Sequence, residues 1–181
     1  MNNHDAQLVE LLKHMHAMCS VRVVDHRMLL QQLANKALDA GFWSEAFRVF
    51  LYDNGSTVAD MQLTLASHVE ELGGVIENID EHIRLIETTY YITKMLNDQE
   101  DVLSIAHYVL VDLDDHELQG GPPYLHIHDL AMEYYQWCFD SADWMQGDEL
   151  ATERHKTINN LKELAQHWLD HYAIASPFDR L

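Results

Sequence analysis

Four carboxylates stand in two pairs. Glu77 and Asp80 are three residues apart, and so are Asp98 and Asp101. On a helix that spacing puts both members of a pair on one face. If the two segments that carry them run antiparallel, the pairs converge. A cluster of hard oxygen ligands of this kind suits Mg²⁺ or Mn²⁺. The competing reading is local: Asp98 and Asp101 sit where a helix begins, and a carboxylate there caps free backbone N–H groups.

The run Val69-Glu70-Glu71-Leu72-Gly73-Gly74, followed downstream by Asp98-Gln99-Glu100-Asp101-Val102-Leu103, resembles the all-α nucleoside triphosphate pyrophosphohydrolases of the MazG type. The resemblance implies Mg²⁺-dependent cleavage of nucleotide triphosphates, with Glu70, Glu71, Asp98 and Asp101 as metal ligands. The chain departs from that pattern in three places. Gly74 stands where a third glutamate belongs, Asp98 stands where glutamate is usual, and the basic residues expected for phosphate are missing after Leu113. Read without the resemblance, Glu70 and Glu71 are a solvated helix face.

Histidine with carboxylate is the second constellation. His167 and His171 are four apart, a spacing that can grip one metal ion. His126, Asp129 and Glu133 share a helix face, and His68 and His82 lie two heptads apart. Helical bundles build metal sites from inward Glu and His, with Glu-x-x-His as the signature. No Glu-x-x-His occurs in the chain. A His/carboxylate metal bundle is therefore an alternative, with His167 and His171 otherwise read as an exposed pair flanking Trp168. Nucleophilic catalysis has no support: there is no Gly-x-Ser-x-Gly, no glycine-rich phosphate loop and no cysteine-centred signature.

The strongest signal is charge. Thirty acidic and eleven basic side chains give a formal net charge of −19. Such a surface repels nucleic acid backbones and anionic membranes and attracts basic proteins or cations. The acids concentrate in two groups, Asp112, Asp114, Asp115 and Glu117, and Asp140, Asp143, Asp148 and Glu149. Solubility alone would also account for an acidic surface. Thirteen histidines make the charge pH-dependent, since protonating all of them moves the formal value from −19 to −6.

The elements that must position these groups are helical. Val58, Leu65, Leu72, Ile79 and Ile86 recur every seven residues, and Val69, Ile76, Ile83 and Tyr90 form a second track. Two tracks alternating by three and four are the seam of a helix packed on a helix, not a strand. Thr57 and Asp60 fit a capping box at its start. Gly73-Gly74 interrupts the stretch. Because the apolar phase continues through the pair, the sequence favours one bent helix over 56–96, the alternative being a C-cap at Leu72-Gly73.

Before that stretch, Leu8, Leu12, Met15 and Cys19 define one helix. Leu30, Leu33 and Ala37 define a second, with Asp25 as its N-cap and Gly41 just past its end. A short helix from Trp43 to Tyr52 would bury Trp43, Phe47 and Phe50. After it, Val102, Ile105, Val109 and Leu113 predict a helix over 99–118. Pro122-Pro123 opens another, carrying Leu125, Leu130, Tyr134, Trp137 and Cys138. Ile158, Leu161, Ala165, Trp168 and Tyr172 stripe the last, from Glu149 to Tyr172.

The sequence thus predicts an all-α bundle of six to seven helices around a long central one, in a single domain over 1–181. No apolar run is long enough to span a membrane. The N-terminal residues lack a basic region followed by an apolar run, and Cys19 and Cys138 form no C-x-x-C pattern. A cytoplasmic protein with reduced thiols is expected. The expected function is that of an acidic binding or inhibitor protein, of the immunity-protein, antitoxin or DNA-mimic type. It would engage a basic protein partner through the two acidic groups, with no cofactor and no direct binding of nucleic acid or membrane. Mg²⁺ enters only with the enzymatic alternative. The seam is also long enough to pair across a homodimer.

Overall fold

The computed structural model describes residues 3–21, 25–52, 55–77, 80–97, 101–107, 122–141 and 144–181. They form α1 (Asn3–Met18), α2 (His26–Asp39), α3 (Phe47–Leu51), α4 (Val58–Glu71) and α5 (Asp80–Leu96). Helical residues 102–107 (α6) follow, then α7 (Pro122–Ser141), α8 (Gly147–Tyr172) and a 3-10 turn, η1 (Pro177–Arg180). No strand occurs among the described residues, and the protein is an all-α helical bundle. Among the described residues no helix is long and apolar enough to cross a membrane. The chain divides into two compact units, one of Met1–Glu87 with Ile174–Leu181, the other of Thr88–Ala173.

In the first unit α1 is the buried element. Leu8, Leu11, Leu12 and Met15 form its core stripe, but Val9, His16, Ala17 and Met18 are buried too. A helix apolar over this much of its circumference must be covered on several sides. It packs on α2, α4 and η1.

α2 begins as its sequence predicts, with the Asp25 carboxylate accepting from the Met28 N–H at 2.9 Å. It ends in a Schellman turn: Gly41 has φ +86°, its N–H reaches the Leu38 carbonyl, and the Phe42 N–H reaches that of Ala37. This turn corrects the expected burial of Trp43, which is 54% exposed. Phe42, the residue that a Schellman turn folds back onto its helix, is buried instead and stacks on His4 at 4.6 Å between ring centroids. Phe47 and Phe50 are buried as expected. α3 is shorter than its predicted span, and α2 side chains satisfy the carbonyls around its end. Gln31 Nε2 donates to the Phe50 carbonyl at 2.7 Å, and the Arg27 guanidinium donates to those of Val49 and Ser56.

α4 opens with the complete capping box. The Asp60 N–H donates to Thr57 Oγ1 at 3.2 Å, and the Thr57 N–H donates to Asp60 Oδ2 at 2.8 Å. The stretch 56–96 is not one bent helix. α4 stops at Glu71, Leu72 is its C-cap, and Gly73 turns left-handed with φ +81°. The Gly73 N–H donates to the Glu70 carbonyl and the Gly74 N–H to that of Val69, a second Schellman turn. Residues 74–77 are not helical, and α5 starts at Asp80. The continuous phase misled because it reports which side chains point inward, whereas helix continuity depends on the backbone hydrogen bonds. Among the described residues the chain therefore carries one more helix than the sequence predicts at this point. Ile79, at the junction, lies outside the described residues.

The tail closes the unit. Ser176 Oγ accepts from the Phe178 N–H at 3.2 Å, Pro177 starts η1, and Phe178 is buried. η1 packs on α1 and α2, and Asp179 pairs with Lys36 of α2 at 3.9 Å.

The second unit is centred on α7 and α8, joined by a connection over 142–146 and therefore antiparallel. Ile127, Leu130 and Ala131 of α7 are buried, as are Thr157, Leu161, Ala165 and Trp168 of α8, whose stripe is the predicted one. Asn160 Nδ2 donates to Glu133 Oε1 at 2.8 Å across the pair. α6 contributes buried Val102, Ile105 and Ala106, and the second half of α5 contributes Thr88, Ile92 and Met95. Tyr134 Oη lies 3.0 Å from His107 Nδ1, and Arg154 reaches the Asp101 carboxylate at 3.0 Å.

Candidate functional site

With Ile127, Leu130 and Ala131 turned inward, α7 has a second side. His128, Met132, Tyr135 and Phe139 recur at four, three and four residues, the spacing of one helical face. All four are exposed, Phe139 at 78%. Trp144, in the connection to α8, is 83% exposed. Single exposed apolar residues are ordinary; several large ones on one face mark an interaction surface. Aromatic and Met side chains are also the ones that binding interfaces favour.

The same hairpin is acidic. Asp140 lies near the end of α7 and accepts from Gln136 Nε2 at 2.7 Å. Asp148 and Glu149 are exposed in the first turn of α8, where the helix dipole favours negative charge. Asp129 adds a further exposed carboxylate on α7. Residues 88–173 hold sixteen acidic against four basic side chains, a formal −12 of the chain's −19. Of the residues expected to bind a partner, Asp140 lies on α7 and Asp148 and Glu149 in the first turn of α8. Asp112, Asp114, Asp115, Glu117 and Asp143 lie outside the described residues.

The metal candidates have local partners. Glu71 pairs with His68 Nδ1 at 3.1 Å in the last turn of α4, and Glu70 is exposed beside it. Asp101 accepts from Arg154 and, at 3.3 Å, from Ser104 Oγ. Asp98 lies outside the described residues. Glu70 and Glu71 belong to the first unit and Asp101 to the second. His171 Nδ1 lies 2.8 Å from the His167 carbonyl, so that ring nitrogen serves its own helix, with the two rings 4.2 Å apart. The His126 side chain lies outside the described residues, Asp129 is exposed, and Glu133 is engaged by Asn160. Among the described residues no group of three or more His, Cys, Asp or Glu side chains is placed to hold a metal ion.

Between the hairpin and α6, burial pushes the Tyr134 phenol up to about 12, with the Cys138 thiol adding to the shift through a side-chain hydrogen bond. Tyr134 therefore stays protonated at neutral pH. The outer stripe of α7 was not anticipated from the sequence. Its signal was present as a second helical track at 128, 132, 135 and 139, masked by the inward track that overlaps it.

The fold and this face define an acidic all-α protein with an exposed aromatic surface. No protein-family model matches the chain, and no curated protein or solved structure matches it either.

Proposed function

We propose that the chain is a binding protein that engages a basic protein partner through the outer face of the α7–α8 hairpin. The observation that carries this reading is the exposed row Met132, Tyr135 and Phe139 on α7, with exposed Trp144 in the connection, on the same pair of helices as the carboxylates Asp140, Asp148 and Glu149. The two features divide the work. Clustered negative charge raises the association rate and selects a partner of opposite sign. Large aromatic side chains, once desolvated against the partner, supply most of the holding energy. Masking a basic toxin or occupying a DNA-binding surface are roles that use this combination.

The test is affinity capture with the purified chain, with identification of what is retained. The expected partner is a protein of high isoelectric point. Its retention should fall as salt rises from about 50 to about 500 mM. Phe139→Ser combined with Trp144→Ser should abolish it, while Leu63→Ser, at an exposed site on α4, should not. Retention that ignores both salt and the double substitution removes the reading. So does a face that instead pairs two copies of the chain, seen as a dimer that the double substitution dissolves.

A further inference from the structure

The first unit contains a cavity of about 410 Å³ between α1, the segment after α4, the start of α5 and the tail. Its volume lies within the range of about 300–1,000 Å³ that small-molecule sites occupy. One wall is apolar, with Ile76, Ile83 and Ile174. α1 contributes Glu10, Lys13, His14 and His16 to the lining, together with Ala17.

His16 is the informative residue among these. It is only 7% exposed, it lines the cavity, and its ring makes no hydrogen bond to another described residue. No fully buried side-chain nitrogen or oxygen among the described residues lacks a partner. His16 lines the cavity, and its ring is within reach of whatever occupies that space. An imidazole in so buried a position is a good hydrogen-bonding partner for a polar group entering the cavity. Burial lowers the His16 pKa, so at neutral pH the ring is uncharged, with one N–H to give and one lone pair to receive.

Charge at the rim completes the pattern. Arg180 lines the cavity from η1, and among the described residues no carboxylate pairs with it. Lys13 lines it too but is neutralised by Glu10 at 3.3 Å. Glu77 is the opposing charge, and its side chain is exposed.

We infer that this cavity binds a small organic carboxylate, its anionic end held by Arg180 and a hydrogen bond from His16, and its apolar body against Ile76, Ile83 and Ile174. This site lies in the other unit from the proposed partner face and does not depend on it.

Sodium hexanoate is a suitable probe, with hexylamine as the charge-reversed control and inorganic phosphate as the anion without an apolar body. Titration followed through the imidazole nitrogens by NMR should show saturable movement of the His16 ring signals with hexanoate below about 10 mM. Neither hexylamine nor phosphate should match it. Arg180→Gln, at an exposed site, should weaken hexanoate about tenfold or more, the loss expected for one ion pair of about 1.4 kcal/mol. Glu77→Gln should tighten it. Circular dichroism of both variants should be unchanged. Still His16 signals, equal binding of hexylamine or phosphate, or hexanoate affinity unaltered in Arg180→Gln would each overturn the assignment.

Discussion

The Cγ1 atom of Val9, on α1, stands 2.7 Å from where a Cβ on Gly74 would be, and Val69 Cγ1 stands 2.8 Å from the same point. The turn that ends α4 is therefore closed over α1 so tightly that only hydrogen fits. The two adjacent glycines have separate reasons. Gly73 supplies a positive φ, with nothing within 4 Å of its missing side chain, whereas Gly74 supplies room.

Gly74→Ala is accordingly expected to cost on the order of 1–3 kcal/mol, the usual cost of overpacking. Val9→Ala in the same chain should recover part of it, so the pair should be less than additive in urea unfolding. Gly73→Ala should cost about 1–2 kcal/mol through the left-handed backbone alone, and Val9→Ala should not relieve it. Additivity at Gly74 would show that the contact with Val9 is not the cause.

Stability should fall on mild acidification. Burial pushes the His14 imidazole down from 6.5 to about 4, against the pull of the Asp179 carboxylate and with a smaller push from His82, and burial lowers His16 as well. Between about pH 6.5 and 4 the unfolded chain then holds protons that the native state does not. Native stability drops as pH falls through that window, at up to about 1.4 kcal/mol per pH unit from His14. Above 6.5 the imidazoles are neutral in both states and contribute no slope. His14→Gln should flatten the pH dependence of the urea midpoint relative to the parent chain; an unchanged slope would mean that His14 protonates freely in the native state.

Cys19 should be chemically silent. Burial pushes its thiol up to about 12, and Sγ donates to the Met15 carbonyl at 3.4 Å. Since the thiolate is the reactive form, a thiol reagent at pH 8 should modify Cys138 first and reach Cys19 only at the rate of unfolding. Rapid labelling of Cys19 without denaturant would contradict the packing of α1.

The start of α4 should be sensitive to one hydroxyl. Thr57→Ala removes the side-chain half of the capping box and should cost about 1 kcal/mol in thermal or urea unfolding. Thr57→Ser should cost little, because the oxygen that accepts from the Asp60 N–H is kept.

How far the sequence revealed this molecule depended on distance along the chain. Asp25, Thr57 with Asp60, and Gly41 each act within four residues of themselves, and their roles were legible because the hydrogen bonds they make are local. The stripes of α1 and α8 were legible for the same reason. What failed or was missed needed tertiary information. Gly73 and Gly74 could be read as bend or stop, and the close approach of Val9, sixty-odd residues away, is invisible in a linear pattern. The cavity brings His16 and Arg180 to one space, and no spacing rule links positions so far apart. The acids at 140, 148 and 149 were visible as composition, but the exposed aromatic row on the same pair of helices depended on which side of α7 turns inward.

The tail has a consequence for how the protein is made. Residues 174–181 finish the unit begun by residues 1–87, and everything from Thr88 to Ala173 is synthesised in between. On the ribosome, α1 must wait with part of its apolar wall uncovered until Phe178 emerges to cover it. Closing so long a loop is entropically a modest step, but the delay leaves greasy surface open to chaperones and to neighbouring nascent chains. Residues 174–181 thus complete a unit whose other residues are made well before them.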